Sequence, residues 1–160
     1  MEIQYLKILK DYPAAYPNDP EYEARIEGVS EDTISQLEQK YNNINPFPKA
    51  LKELLYLAGK YCYVLDYNIF ETQQELQEAV REWLSEKKLS INRPFFAIDA
   101  YNYGEAFLFI YLDEGDNPIV RQAYLFPRKD MPFISNLLGQ SLSGYIKGQI
   151  DDVKQGINPF

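Results

Sequence analysis

The stretch from residue 94 to residue 126 constrains the fold most strongly, because apolar runs alternate there with turn signals. Its three aromatic-rich runs are residues 94–100, 105–112 and 118–126. Residues 102–104 and 114–118 supply the Gly, Asn and Asp that tight turns use. Short strands joined by short loops pair antiparallel, since a parallel return needs a crossover of about a dozen residues. The stretch therefore predicts a β-meander, with helices before and after it that cover one face.

Three capping signals predict helices outside the meander. Ser30 precedes an acidic first turn and an apolar stripe that ends before residue 42. Thr72 with Glu75 forms a capping box, which begins a helix over residues 72–88 with Trp83 on its buried stripe. Ser141 begins a last helix. These helices and the meander together predict an α+β fold, a single domain with a largely antiparallel central sheet flanked by helices.

A further helix is predicted between Pro48 and Gly59. Proline suits the first helical position, and leucines at helical spacing follow it. Glycine accepts the left-handed conformation that closes many helices, so Gly59 is predicted to end this one in that conformation. The sequence therefore places two short amphipathic helices, joined by a proline-bearing linker, ahead of the capping box.

Four shorter segments have weaker signals. Residues 3–9 fit either a short strand or a helical turn. Residues 11–23 contain three prolines, which exclude a regular helix and predict an irregular or extended arm. Residues 61–65 predict a strand, and residues 133–138 form a short apolar run. The domain is predicted to span residues 1–160, with an arm over 1–28, a core over 29–153 and a tail over 154–160.

The charge balance limits the partners that this chain can have. Its formal net charge is −8, which argues against nucleic acid and against anionic membrane surfaces, because both require basic patches. If this acidity serves binding, the expected partner is a basic protein, since opposite charges speed association. The chain also has 14 Tyr and 9 Phe, and tyrosine suits recognition surfaces as well as half-buried sheets.

The chain contains few of the residue types and motifs that catalysis commonly uses. There is no histidine, which removes the commonest general base and most zinc sites. Cys62 is the only cysteine and lies in an apolar stretch, so it is interpreted as a buried hydrophobic residue. No glycine-rich phosphate loop occurs. The sequence therefore predicts a non-enzymatic protein with no cofactor and no metal.

The acidic residues suggest two kinds of site, a calcium loop and a catalytic carboxylate pair. Residues 113–117 form an acidic cluster, but they lack the spacing and the closing glutamate of a calcium loop, so a hairpin turn explains them better. A carboxylate pair for hydrolysis is a spatial feature, and nothing in the order of the 24 acidic residues nominates one. A carboxylate-based hydrolase is the lesser alternative.

Cellular location is predicted from three absences in the sequence. A single cysteine allows no intrachain disulfide, and the first residues lack the basic and apolar pattern of a signal peptide. No apolar run approaches the length of a membrane span. The predicted location is the cytoplasm.

Five segments, taken in order, resemble the SUKH superfamily. VSEDTISQLE at residues 29–38 is similar to its opening acidic helix, and INPFPKALKELL at 44–55 to its proline-led second helix. NYGEAFLF at 102–109 is similar to its turn and central aromatic strand, with Gly104-Glu105 in place of Gly-Asp. PIVRQAY at 118–124 resembles the next strand, and SLSGYI at 141–146 the start of its closing helix. The resemblance covers residues 29–153.

The resemblance implies a bacterial immunity protein, since most bacterial SUKH members neutralise toxins of polymorphic toxin systems. Such a protein binds its cognate toxin domain, which could be a nuclease, without chemistry of its own. The family's eukaryotic branch implies the alternative, a regulatory protein-interaction module unrelated to toxins. We expect the contact on the turns of the meander, at Tyr101, Tyr103, Asp113, Glu114 and Asp116, where aromatic rings would anchor and carboxylates would steer.

Overall fold

The computed structural model describes residues 1–16, 25–101, 104–136 and 139–158, and these form an α+β fold, as predicted. The helices are α1 (Lys7–Asp11), α2 (Glu31–Tyr41), α3 (Lys49–Ala58), α4 (Gln73–Glu86) and α5 (Leu142–Lys154), with a 3₁₀ turn at Tyr67–Ile69. The strands are β1 (Phe95–Tyr101), β2 (Ala106–Tyr111), β3 (Arg121–Tyr124) and β4 (Ile134–Ser135).

The four strands form one antiparallel sheet in the order β1-β2-β3-β4, so the predicted meander is confirmed. Phe95 pairs with Tyr111, and the register shifts between Ala97 and Asp99, where β1 carries a bulge. The apolar run at residues 133–138 supplies β4, and its last two residues lie outside the described ones.

The prediction that helices cover one face of the sheet is wrong for its centre. All six residues of β2 are buried, so both faces are covered there. On one face, Phe96 and Ile98 lie against α3. On the other, the rings of Phe95, Phe107 and Phe109 contact one another at centroid distances of 5.7 to 6.3 Å. The alternation expected of a half-exposed sheet is absent because both sets of side chains are apolar.

The predicted helix starts are confirmed by their caps. The hydroxyl of Ser30 accepts a hydrogen bond from the Thr33 amide at 3.1 Å, and Thr72 accepts one from the Glu75 amide at 3.1 Å. Ser141 caps α5 in the same way. Each cap satisfies an amide that has no partner inside its own helix.

Gly59 ends α3 for a different reason from the predicted one. Its φ is −70°, in the right-handed region. A Cβ at Gly59 would lie 2.5 Å from the Leu55 carbonyl oxygen, and one at Gly28 would lie 1.7 Å from that of Tyr56. Gly28 is therefore needed because it crosses the end of α3 at backbone contact distance, and Gly59 because the Leu55 carbonyl of its own helix leaves no room for a Cβ.

Residues 61–65 do not form the predicted strand. Tyr61 makes a single bridge with Glu27, and the chain then turns into the 3₁₀ segment. Cys62, Val64 and Leu65 are all fully buried, so this run is apolar because it lies inside the core, without strand-like alternation. Burial also raises the pKa of the Cys62 thiol to about 12.

The predictions for residues 3–9 and for residues 11–23 have different outcomes. Of the alternatives for residues 3–9, the structure shows a helical turn, because α1 begins at Lys7. The predicted arm falls partly outside the described residues. Its described part is extended at Ala14, which bridges Arg25, while the Ile26 amide donates to the Pro13 carbonyl at 2.9 Å.

Helix α4 covers the outer edge of β1 with side chains that replace a neighbouring strand. The buried Gln77 amide donates to the Ala97 carbonyl at 2.8 Å and accepts from the Ala97 amide at 2.9 Å. The Arg81 guanidinium donates to the Phe95 carbonyl at 3.2 Å. These groups satisfy backbone atoms that an edge strand would otherwise leave open.

We predict that Gln77→Ala lowers the free energy of unfolding by about 2 kcal/mol, because it leaves both buried backbone groups of Ala97 without partners. Urea unfolding measures this loss. The matched control is Gln74→Ala on the exposed face of α4, which should stay within about 0.5 kcal/mol of the original protein. Equal losses in the two variants would contradict the role assigned to Gln77.

Candidate functional site

The turn between β2 and β3 is held by the N-terminal ends of two helices. The Asp116 carbonyl accepts a hydrogen bond from the Ala50 amide of α3 at 2.9 Å. The Asn117 side chain donates to the Ser143 hydroxyl at 2.8 Å and accepts from the Ser143 amide at 3.1 Å, which ties the turn to α5. Residues 113–117, named here the acidic turn, are therefore fixed on two sides.

The carboxylates at the start of the acidic turn form ion pairs with two arginines. Glu114 and Arg121 make two hydrogen bonds of 2.7 and 2.8 Å, while Arg93 Nε lies 3.2 Å from Asp113 Oδ2. The hydrogen bond from Arg93 lowers the pKa of Asp113. Both guanidinium groups lie against the Tyr111 ring, at 3.8 and 4.6 Å from its centroid. The turn is thus an ordered network of paired charges.

The three predicted carboxylates of this turn differ in accessibility. Asp116 lies 3.3 Å from Lys49, and its side chain is 49% exposed. Asp113 is also 49% exposed, whereas Glu114 is 21% exposed. Asp113 and Asp116 therefore present oxygen atoms to solvent, and Glu114 is largely occupied by Arg121.

Tyr101, one of the two predicted tyrosines, lies at the other end of the hairpin. Tyr101 pairs with Ala106, whereas Tyr111, five residues along β2, adjoins the acidic turn. Five strand residues span roughly 17 Å. Tyr101 is half-buried, its hydroxyl is 3.0 Å from that of Tyr145, and burial raises its pKa. Tyr103 lies outside the described residues. The structure therefore places Tyr101 apart from the acidic turn.

Sequence reasoning missed the cations that surround the acidic turn. Continuing the register in which Phe95 faces Tyr111 places Arg93 opposite Asp113. Arg121 faces Phe109 at the start of β3, and the third cation, Lys49, opens α3. The hairpin register was the signal that could have found Arg93, because antiparallel pairing brings residues before β1 beside those after β2.

A buried carboxylate, Asp99, lies at the bulge of β1. It is 1% exposed, and its Oδ1 accepts hydrogen bonds from the amides of Asp66 at 2.7 Å and Ala100 at 2.9 Å. Its Oδ2 has no hydrogen-bond partner among the described residues. Burial raises the pKa of this carboxyl to about 7. Asp99 is enclosed, so its carboxyl lies within the core.

The second buried carboxylate, Glu53 of α3, binds the N-terminal backbone. It is 2% exposed, and its two oxygens accept hydrogen bonds of 2.8 Å from the amides of Gln4, Tyr5 and Leu6. Leu6 precedes α1 and has no capping side chain of its own. Glu53 therefore caps α1 from a distant part of the sequence.

Two adjoining grooves run beside the N-terminal end of α4. One has a volume of about 440 Å³ and the other about 620 Å³, and both are lined by Lys60 and Glu71. Glu27 lines the second groove and forms an ion pair with Lys60. Glu27 and Glu71 are both exposed, so this groove does not give them the enclosed apolar setting in which a carboxyl acts as a general acid.

Within the described ranges, no three His, Cys, Asp or Glu side chains are arranged to hold a metal ion. No helix in this part of the chain has the length and apolar character to cross a bilayer. Comparisons with protein families, curated proteins and solved structures give no match. A proposed function must therefore rest on the chain's own geometry and on its motif resemblance.

Proposed function

We propose that this chain is a non-enzymatic immunity protein, which binds the toxin domain of a polymorphic toxin system and blocks it by contact. The observation that carries the proposal is the fixed acidic turn, tied to α3 through the Asp116 carbonyl and to α5 through Asn117. A surface held in one conformation loses little entropy on binding, which suits an inhibitor that acts by covering its target.

The order of the structural elements supports this proposal. The five segments that resemble the SUKH superfamily coincide with α2, α3, β2, β3 and α5. Helix α2 begins with Glu31 and Asp32, α3 follows Pro48, and α5 follows Ser141. Each segment alone is short, and their agreement in type and order is what favours this family over an unrelated α+β domain.

The proposed partner is a basic toxin domain met in the cytoplasm. A net charge of −8 attracts a basic protein at long range, and Asp113 and Asp116 offer half-exposed carboxylates on the acidic turn. A basic nuclease fits this chemistry, because an acidic face can occupy the groove that binds phosphates.

Co-expression with the product of the neighbouring gene tests the proposal. Growth rescue together with co-purification is the expected result. If the neighbouring protein is neither toxic nor retained, the proposal fails and the regulatory protein-interaction module takes its place. Co-purification without any toxicity of the neighbour would likewise favour that alternative.

The double substitution Asp113→Lys and Asp116→Lys should slow association with a basic toxin domain about tenfold at low salt, because it reverses the charge at the contact. Glu114 is kept because it pairs with Arg121. The matched control reverses the exposed Glu82 and Glu86 of α4, which changes net charge equally. Stopped-flow association rates that fall equally in both variants would remove the acidic turn from the binding surface.

A further inference from the structure

Phe126 stands out because it is exposed where other phenylalanines are not. Its exposed fraction is 45%, whereas every other described Phe is buried or half-buried. It begins a run of five exposed residues, 126–130, in the hairpin between β3 and β4. Its ring contacts Tyr124 at a centroid distance of 6.3 Å, so two aromatic rings lie together on this surface.

Cations surround this aromatic pair. Lys87 Nζ lies 4.2 Å from the Phe126 ring centroid, and Arg128 Nη2 lies 3.5 Å from both the Tyr124 hydroxyl and the Met131 sulfur. Lys129 is exposed beside them. The basic-aromatic patch is defined here as the surface formed by these side chains: Tyr124, Phe126, Arg128, Lys129, Met131 and Lys87.

The cations of this patch differ from most others in the chain. Lys40, Lys49, Lys52, Lys60, Arg93, Arg121, Lys147 and Lys154 all form ion pairs with carboxylates. Lys87, Arg128 and Lys129 form none with any described carboxylate, although the chain is acidic overall. The Phe126 ring holds Lys87, while the Tyr124 hydroxyl and the Met131 sulfur hold Arg128, which leaves both charges available to a partner's carboxylates.

The hairpin that carries the patch is held rigidly. The Arg128 and Met131 backbones exchange hydrogen bonds of 2.8 and 3.1 Å. The Tyr124 amide donates to the Phe133 carbonyl and the Leu125 amide to the Glu105 carbonyl, both at 2.8 Å. A preorganised surface with Tyr, Phe, Met and Arg has the composition of a protein-binding hot spot.

We propose that the basic-aromatic patch docks an acidic protein segment that also carries apolar side chains. The segment's carboxylates would bind Lys87, Arg128 and Lys129, and an apolar side chain would cover Phe126. Tyr124 pairs with Ala106 at the end of β2 away from the acidic turn, so the patch and that turn occupy opposite ends of the sheet. This second surface does not depend on the first partner being a toxin.

Fluorescence anisotropy with three labelled peptides tests this surface on the full chain. The peptides share alternating Leu and Phe, with Glu, Ser or Lys at the positions between. The Glu peptide should bind best, and Phe126→Ala should weaken it about tenfold. Arg128→Glu with Lys129→Glu should remove its advantage over the Ser peptide. Thermal melting verifies that each variant is folded.

The matched control reverses Lys7 and Lys10, two exposed lysines of α1 with the same effect on net charge. This variant should keep the preference for the Glu peptide. Equal losses in the two charge-reversed variants would show a bulk charge effect and overturn the proposal. So would equal affinity for the Glu and Lys peptides, no binding of the Glu peptide, or tighter binding of a single-stranded oligonucleotide.

Discussion

Replacing Glu53 with alanine should lower the free energy of unfolding by about 4 kcal/mol, the largest loss that we expect from a single substitution. The amides of Gln4, Tyr5 and Leu6 would lose a charged acceptor at once. Each hydrogen bond to a charged group contributes about 1.5 to 3 kcal/mol, and water can reach only the more exposed of these amides. Urea unfolding measures the loss.

An isosteric substitution at Glu53 should give an intermediate loss of stability. Glu53→Gln keeps one acceptor oxygen but turns an amino group toward at least one backbone amide, so its loss should be about half as large. Glu82→Ala, on the exposed face of α4, is the control and should change stability by less than about 0.5 kcal/mol. A loss of under about 1 kcal/mol in Glu53→Ala would show that α1 does not depend on this cap.

The second large effect is a fall in stability as pH rises through neutrality. Burial raises the pKa of Asp99 from 3.8 to about 7 in the folded chain, so the folded state holds a proton that the unfolded state releases. The stabilisation from this proton is complete below the pKa that Asp99 has in the unfolded chain. It is lost as the pH rises through the pKa that Asp99 has in the folded chain. Between about pH 5 and about pH 8 the loss should be roughly 2 to 3 kcal/mol.

The chain suits this measurement because it has no histidine to titrate in the same range. Asp113 and Asp151 have pKa values lowered by Arg93 and Lys147, so they titrate in acid, below this window. Asp66 shares the sign of the Asp99 shift, since burial raises its pKa too. Asp66→Asn therefore measures how much of the slope belongs to that neighbour.

Asp99→Asn removes the titrating group and keeps an oxygen for the amides of Asp66 and Ala100. Its unfolding free energy should be nearly flat across the same pH range. Urea unfolding at several pH values provides the comparison. If Asp99→Asn keeps the full slope of the original protein, Asp99 is not its source.

Local signals in the sequence were sufficient for the four longer helices and for the first strands of the sheet. Ser30, Thr72 and Ser141 each cap a helix where their side chains predicted one. The turn residues between apolar runs placed β1 and β2 correctly, and antiparallel pairing followed from the short loops. These features depend on neighbours within a few residues, so the order of residues contains them.

Features that depend on distant contacts were beyond sequence reasoning. Residues 3–9 fitted two structures because their conformation is set by Glu53, almost fifty residues away. Residues 61–65 have strand-like composition, yet burial on all sides explains them. Local spacing specifies neither contact, since both arise only after the elements have packed.

The ion pairs of the candidate site were likewise beyond sequence reasoning. The acidic turn was located from its residues, but Arg93 and Arg121 become its partners only through the register of the sheet. Counting charges along the chain overestimates the negative field at this turn, because three cations compensate it. The patch around Phe126 was missed for the opposite reason, since a charge count does not show which cations lack partners.

The closed edge of β1 also affects how crowded copies of this protein behave. Gln77 and Arg81 occupy backbone groups of Ala97 and Phe95, so a strand of another molecule finds no hydrogen-bonding template at these positions. The opposite edge strand, β4, is only two residues long. Among the described residues, neither edge of the sheet therefore offers a long template for strand-by-strand polymerisation.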